Sequence, residues 1–203
     1  MRKSGNVCIV LGVAFLSMAL LLVILNQSKN YKAELSISRT MPQIIENIER
    51  NCLQDEAQST TSTTSVPDPY NSEMTEKEID GIRYVGYLSI PALELELPVV
   101  SEWSYENLKI SPCRFSGSSK SDDLVIAAHN YKCHFGTIGS LKAGDEVVLT
   151  DMEGVIIRYE VIALEVLSST AVTDMTSGEY DLTLFTCTYG GENRITVRCD
   201  KKQ

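Results

Sequence analysis

From about Gly81 onward the chain is a succession of short apolar runs broken by glycine and proline, and that punctuation confines it to β architecture. The runs are "RYVGYLSI", "LELELPVV", "DLVIAAHN", "DEVVLTD", "GVIIRYEVIALEVL", "DLTLFTCT" and "NRITVRC". Each is of strand length and rich in β-branched residues, and Pro91, Gly117, Gly144, Gly154, Gly178 and the Gly190-Gly191 pair separate them. Seven or eight strands with frequent turn signals predict an all-β barrel or sandwich. "TDMEGVIIRYEV" reads as a hairpin turning at Glu153-Gly154. Only "SEWSYENLKIS" within this region has the pattern of a short helix.

The N-terminal part has a different texture. After Arg2 and Lys3, residues 7–25 ("VCIVLGVAFLSMALLLVIL") carry no charge and suffice to cross a hydrocarbon core of about 30 Å. A cleaved signal peptide has a shorter apolar region and a small-residue cleavage site, which "NQSKNYKAEL" lacks. An uncleaved anchor is therefore expected, with residues 1–6 in the cytoplasm by the positive-inside rule and the C-terminal mass outside the cell, although Lys29 and Lys32 on the far side weaken that orientation. Residues 26–80 form a juxtamembrane segment and linker, and residues 81–203 the folded domain. Within the linker, scattered apolar positions from Leu35 to Leu53 predict a short amphipathic helix after Pro42, near the membrane or over the domain. "STTSTTSVPDPYNSE" is too polar to offset its own ordering and reads as a flexible tether. The formal charge of -9 includes no basic stripe, which excludes a nucleic-acid partner.

Two histidines occur, both in "VIAAHNYKCHFGTIGSL". His129 falls where an apolar strand gives way to a polar loop, the position at which catalytic groups are commonly carried. A lone histidine is more often structural, and a lone cysteine such as Cys187 is commonly a buried residue. Their neighbours change that balance. "DLTLFTC", "TYGGEN" and "RITVRC" form a strand, a tight connection and a return strand, which sets Arg194 across the ladder from Cys187. A guanidinium there favours thiolate and can donate to an oxyanion. Arg198 shares that face farther along, while Cys199 points to the other. Of six cysteines, Cys8 lies in the apolar span and Cys52 in the linker region; Cys113 and Cys133 could pair, and the spacings fit no zinc site.

At these residues the chain resembles the sortases, the membrane-anchored cysteine transpeptidases of Gram-positive bacteria. The family's T-L-x-T-C signature stands as Thr183-Leu184-Phe185-Thr186-Cys187, followed by the arginine of "NRITVR". The histidine motif stands as "VIAAHN", with Ala128 where many members have glycine; "YLSIPALELELPV" and "IGSLKAGDEVVLTD" resemble flanking segments. The resemblance spans about residues 81–199 and implies a closed eight-stranded sortase-type β-barrel with one or two short helices, preceded by the transmembrane helix. It implies that Cys187, His129 and Arg194 are catalytic, with Arg198 the competitor for the arginine role. It implies cleavage of an LPxTG-like sorting signal of secreted proteins through a thioacyl-enzyme, and transfer to the amine of a peptidoglycan precursor or, in polymerising members, a pilin lysine. No redox or organic cofactor is required, and no carboxylate cage commits the chain to the calcium that some members use. The short "TYGGENR" loop resembles classes C, D and E; the faintness of "VPDPY" as a lid and the lack of an apolar segment after Arg198 disfavour a typical pilin-polymerising class C enzyme. Two other readings are a thiol hydrolase that passes the same acyl group to water, and a membrane-tethered binding module with no catalysis.

Overall fold

Strand alternation decides what faces the barrel axis here and what faces outward. The computed structural model describes residues 2–58 and 73–202. It holds α1 (Arg2–Gln58), β1 (Lys77–Ile79), β2 (Ile82–Ile90), β3 (Leu95–Val100), β4 (Cys113–Ser116), β5 (Leu124–Ala128), β6 (Glu146–Asp151), β7 (Ile156–Ser168), α2 (Val172–Met175), β8 (Leu182–Cys187) and β9 (Asn193–Lys201). The ladder runs β1-β2-β3-β4-β5-β8-β9-β7-β6, and β6 pairs back onto β2. Eight strands thus close the barrel that the sortase resemblance implied, and β1 is an outrigger paired to β2.

Closure depends on Gly86, which pairs with Val99 of β3 on one side and Asp151 of β6 on the other. Its φ is 145°, and a Cβ there would stand 2.1 Å from the Thr150 carbonyl oxygen. No other residue lets the two strands approach so closely. Asp151 shapes the β6–β7 hairpin expected at Glu153-Gly154, its Oδ1 accepting from the Glu153 and Val155 amides at 2.9 Å.

The interior is filled by alternate residues such as Leu88, Leu97, Leu124, Ile126, Leu149, Leu182, Leu184 and Val197, all 0–1% exposed. β5 and β8 are parallel and buried along nearly their whole length, hence their almost unbroken apolar sequence. Their outward residues Val125, Ala127 and Phe185 are also covered, joining a second cluster with Leu108, Met175, Trp103 and Phe115. That cluster floors the site described below.

α1 corrects one expectation. A helix was expected to begin after Pro42, whereas a single helix runs from Arg2 to Gln58 with Pro42 inside it. An interior proline costs about 3 kcal/mol. Pro42 and Ser38, whose carbonyl loses its donor, both face solvent. On the opposite side Ala33, Met41, Ile44 and Ile48 are buried against the barrel, and at about 2 kcal/mol per buried aliphatic side chain they offset the penalty. Gln43 donates to Asp80 and Asn51 donates to the Met152 carbonyl, so the helix lies over the domain. Its N-terminal part is long and apolar enough to cross a membrane, none of that stretch is buried, and it fits a membrane anchor. Most of the tether, including "VPDPY", lies outside the described residues.

Candidate active site

β8 ends at Cys187, and β9 returns through Gly190 and Gly191, both with left-handed φ. The connection is tied by Thr188 donating to the Asn193 carbonyl and Gly191 to the Thr188 carbonyl, each at 2.9 Å. The register sets Cys187 opposite Arg194 and Thr183 opposite Arg198, as alternation requires. β5 ends alongside, and the Thr186 hydroxyl donates 2.9 Å to the Ala128 carbonyl in a buried bond. That bond locks the end of the cysteine strand to the residue before His129. His129, Cys187 and Arg194 line one cleft of about 270 Å³, with Trp103, Phe115, Val172, Met175 and Phe185 among its apolar walls.

The loop after β5 is built around its own carbonyls. Phe135 donates to the His129 carbonyl, and His134 and Gly136 to that of Tyr131. Gly136 is required because a Cβ would stand 2.7 Å from the carbonyl oxygens of Asn130 and Tyr131. The His129 ring packs on Tyr131 at 4.8 Å between centroids, and Tyr131 packs on His134 at 5.3 Å. Burial, then the charges of Lys109 and Lys29, hold His129 below its ordinary pKa.

Arg194 and Arg198 differ sharply. Arg194 is half-buried, and its Nη1 donates to the carbonyls of Gly191 at 2.9 Å and Asn193 at 3.0 Å, within its own turn. Arg198 is 3% exposed and fully engaged. It donates to Thr183 Oγ1 at 3.0 Å, the Met175 and Asp174 carbonyls at 3.3 and 2.7 Å, and Glu165 at 3.4 Å, and it lies over the Tyr180 ring. Arg198 therefore ties α2 to the barrel, outside the cleft.

The cysteines separate as clearly. Cys113, Cys133, Cys187 and Cys199 are free, so the possible Cys113–Cys133 bridge is not formed. Cys113 is sealed at the first position of β4, and Cys133 donates to the Asn30 carbonyl of α1 at 3.6 Å. Burial pushes the thiols of Cys113 and Cys199 up to about 12, which makes them inert. Sequence reasoning missed the threonines as positioning groups: Thr186 staples β5, and Thr183 receives Arg198. The spacing in T-L-x-T-C was the available signal, since it places one threonine on each face of the strand.

His134 supplies a prediction of its own. It is fully buried, and its ring nitrogens make no hydrogen bond of good geometry beyond the weak pull of the nearby Ile110 carbonyl. Burial first, and His129 second, lower its pKa to about 4. The unfolded chain takes up a proton near pH 6.5 and the folded chain only near 4, so this contribution is intact above pH 6.5 and is lost as pH falls toward 4. The expected loss is about 3 kcal/mol over that window. Denaturant unfolding at stepped pH should show it, and His134→Leu should flatten the slope; an equally steep slope in that variant would refute the assignment.

The family model "Sortase domain" matches residues 88–202, more than half of the chain. Sortase A of Bacillus anthracis is 27% identical over an alignment of 138 positions that covers 61% of this chain and 61% of that protein. The match thus spans less than two thirds of that relative's length. Sortase C from Clostridium perfringens SM101 superposes with a TM-score of 0.53 at 25% identity, over 80% of this chain and 89% of that one. Clostridium perfringens sortase C with the C-terminal cell wall sorting motif superposes with a TM-score of 0.55 at 23% identity, over 84% of this chain and 100% of that one. Sortases of the A and C types both stand among its relatives. With the sortase domain matched across the barrel and the barrel closed in the sortase manner, the chain belongs to the sortase family.

Proposed function

We propose that the protein is a membrane-anchored cysteine transpeptidase that cleaves an LPxTG-like sorting signal and transfers the acyl group to a cell-wall amine. The observation that carries this is the convergence of His129, Cys187 and Arg194 on one cleft at the ends of β5, β8 and β9. His129 takes the proton of the Cys187 thiol, and the thiolate attacks the carbonyl carbon of the scissile peptide bond. The carbonyl oxygen becomes an oxyanion, for which Arg194 exchanges its contacts with the Gly191 and Asn193 carbonyls. As the carbon–nitrogen bond breaks, His129 gives its proton to the departing amine and leaves a thioacyl-enzyme on Cys187. An incoming amine, losing a proton to His129, attacks the thioester and forms the new amide; the carbon–sulfur bond breaks, and His129 returns that proton to the departing Cys187 sulfur. A histidine held below its ordinary pKa suits the base half of this cycle at neutral pH.

The apolar walls of the cleft suit an extended peptide with aliphatic side chains. A sortase C of the same fold has been solved with the C-terminal cell wall sorting motif, which favours the same class of peptide here. In this reading residues 1–6 lie in the cytoplasm, residues 7–25 cross the membrane, and residues 26–80 connect to an extracellular catalytic domain of residues 81–203. The chemistry needs no cofactor. The test is to incubate the full-length protein in detergent with LPxTG-like peptides and amine acceptors, and to identify products by mass. Amide-linked products support transpeptidation; the free acid alone would establish a hydrolase instead, and an uncut library would refute the enzyme reading.

A further inference from the structure

The end of the barrel that carries the histidine loop lies beside the point where α1 leaves its apolar stretch. That stretch ends at Leu25, and the first contact with the barrel is at Asn30, whose carbonyl accepts from Cys133. Ala33, one turn on, is completely buried. The helix is unbroken between these points, and its internal proline comes only later, at Pro42. At about 1.5 Å per residue, Lys29 to Ala33 stand about 6–12 Å beyond the apolar stretch, which is the depth of the head-group layer and its outer edge. The histidine loop, packed on that segment, is held at the same height. Lys29 is near enough to His129 for its charge to act on the imidazole.

The side chains at this height suit a bilayer surface. Lys29, Lys32 and Lys132 are exposed and enter no ion pair among the described residues, while Lys109, whose charge also reaches His129, is paired with Glu106. Tyr31, 63% exposed, stands between the first two, an aromatic at the level where amphipathic rings settle. No acidic residue precedes Glu34 in a chain whose net charge is -9. Glu34, one turn farther out than Asn30, shares a hollow with Asn30, Lys132 and Cys133, and Glu94 and Glu96 of the barrel line the same hollow, though none of the three forms an ion pair with Lys132.

We propose that this end of the barrel, through Lys29, Tyr31, Lys32 and Lys132, docks on anionic phospholipid head groups, so that the Cys187–His129 cleft works at the membrane surface. The inference rests on the reading of α1 as a membrane anchor. It makes α1 a rigid strut that sets the height of the site, and it restricts substrates to peptides presented at the bilayer.

The test uses the full-length protein in nanodiscs of phosphatidylcholine alone or of phosphatidylcholine with phosphatidylglycerol, read by hydrogen exchange. Amides 131–137 are expected to exchange more slowly in the anionic discs, and Lys132→Glu should remove about fivefold of that slowing. Inserting seven helix-forming residues after Asn26 nearly preserves the helical face and lifts the barrel about 10 Å, so it should abolish the slowing altogether. Equal exchange in both discs by a chain that remains disc-bound with amides 9–25 protected would overturn the docking alone. Dissociation from the discs would overturn the anchor reading and the docking with it. Slowing that instead follows protein concentration in detergent would assign this face to a second copy of the chain and overturn the lipid assignment.

Discussion

Cys187→Ala is expected to abolish both peptide cleavage and amide formation while leaving the barrel folded. The covalent route runs through one sulfur, and its removal should cost about 10⁴-fold or more in turnover. The structural cost is small by comparison. Cys187 is half-buried at the last position of β8 and lines an open cleft, so loss of its sulfur removes little packing, about 1 kcal/mol or less. Cys133 is the necessary control, because it is also a half-buried free thiol and lies in the histidine loop. Burial raises its pKa, it faces the Asn30 carbonyl, and it does not line the cleft, so Cys133→Ala should retain activity. Product mass spectrometry and thermal unfolding on the same preparations separate the two effects. Undiminished turnover by Cys187→Ala, or its loss in Cys133→Ala with the fold intact, would show that the nucleophile has been misassigned.

What the chain discloses before folding depends on how local the cause is. The β8–β9 hairpin was legible because strand alternation and a Gly-Gly turn are local, and together they set the Cys187–Arg194 register. The β6–β7 hairpin was legible for the same reason. β4 was not: Cys113–Ser116 is short, and a register shift between Arg114 and Ser116 breaks its alternation. The course of α1 through Pro42 was hidden because the local rule is a helix break, and only the distant barrel surface supplies the burial that offsets it. At the site, His129 and Cys187 were visible as residue types in motifs. The Thr186 bond to the Ala128 carbonyl was not, because its partner is fifty-eight residues away in sequence. Alternation also sets Arg194 and Arg198 on one face, but the burial of Arg198 depends on α2, Glu165 and Tyr180, which no alternation pattern brings to that face.

That difference in burial separates the two arginines experimentally. Arg198→Ala is expected to lower stability by about 3 kcal/mol, because it strips donors from Thr183 and from the Asp174 and Met175 carbonyls at a nearly dry site. Glu165, 37% exposed, can recover water, which keeps the loss from being larger. Lysine should not rescue it, since one ammonium cannot reproduce a planar fork that serves four partners at once. Any fall in turnover should follow unfolding of α2, whose Val172 and Met175 wall the cleft, and should be partly recovered at low temperature. Arg194→Ala should behave in the opposite way. Its bonds lie within a partly exposed turn, so stability should change by about 1 kcal/mol or less. Turnover should fall about 10²–10³-fold, the usual effect of removing one oxyanion donor. Denaturant unfolding and kcat/KM measured together on both variants decide the matter. An Arg198 variant that is stable but inactive, beside an active Arg194 variant, would transfer the oxyanion role to the buried arginine and require α2 to move aside in the working enzyme.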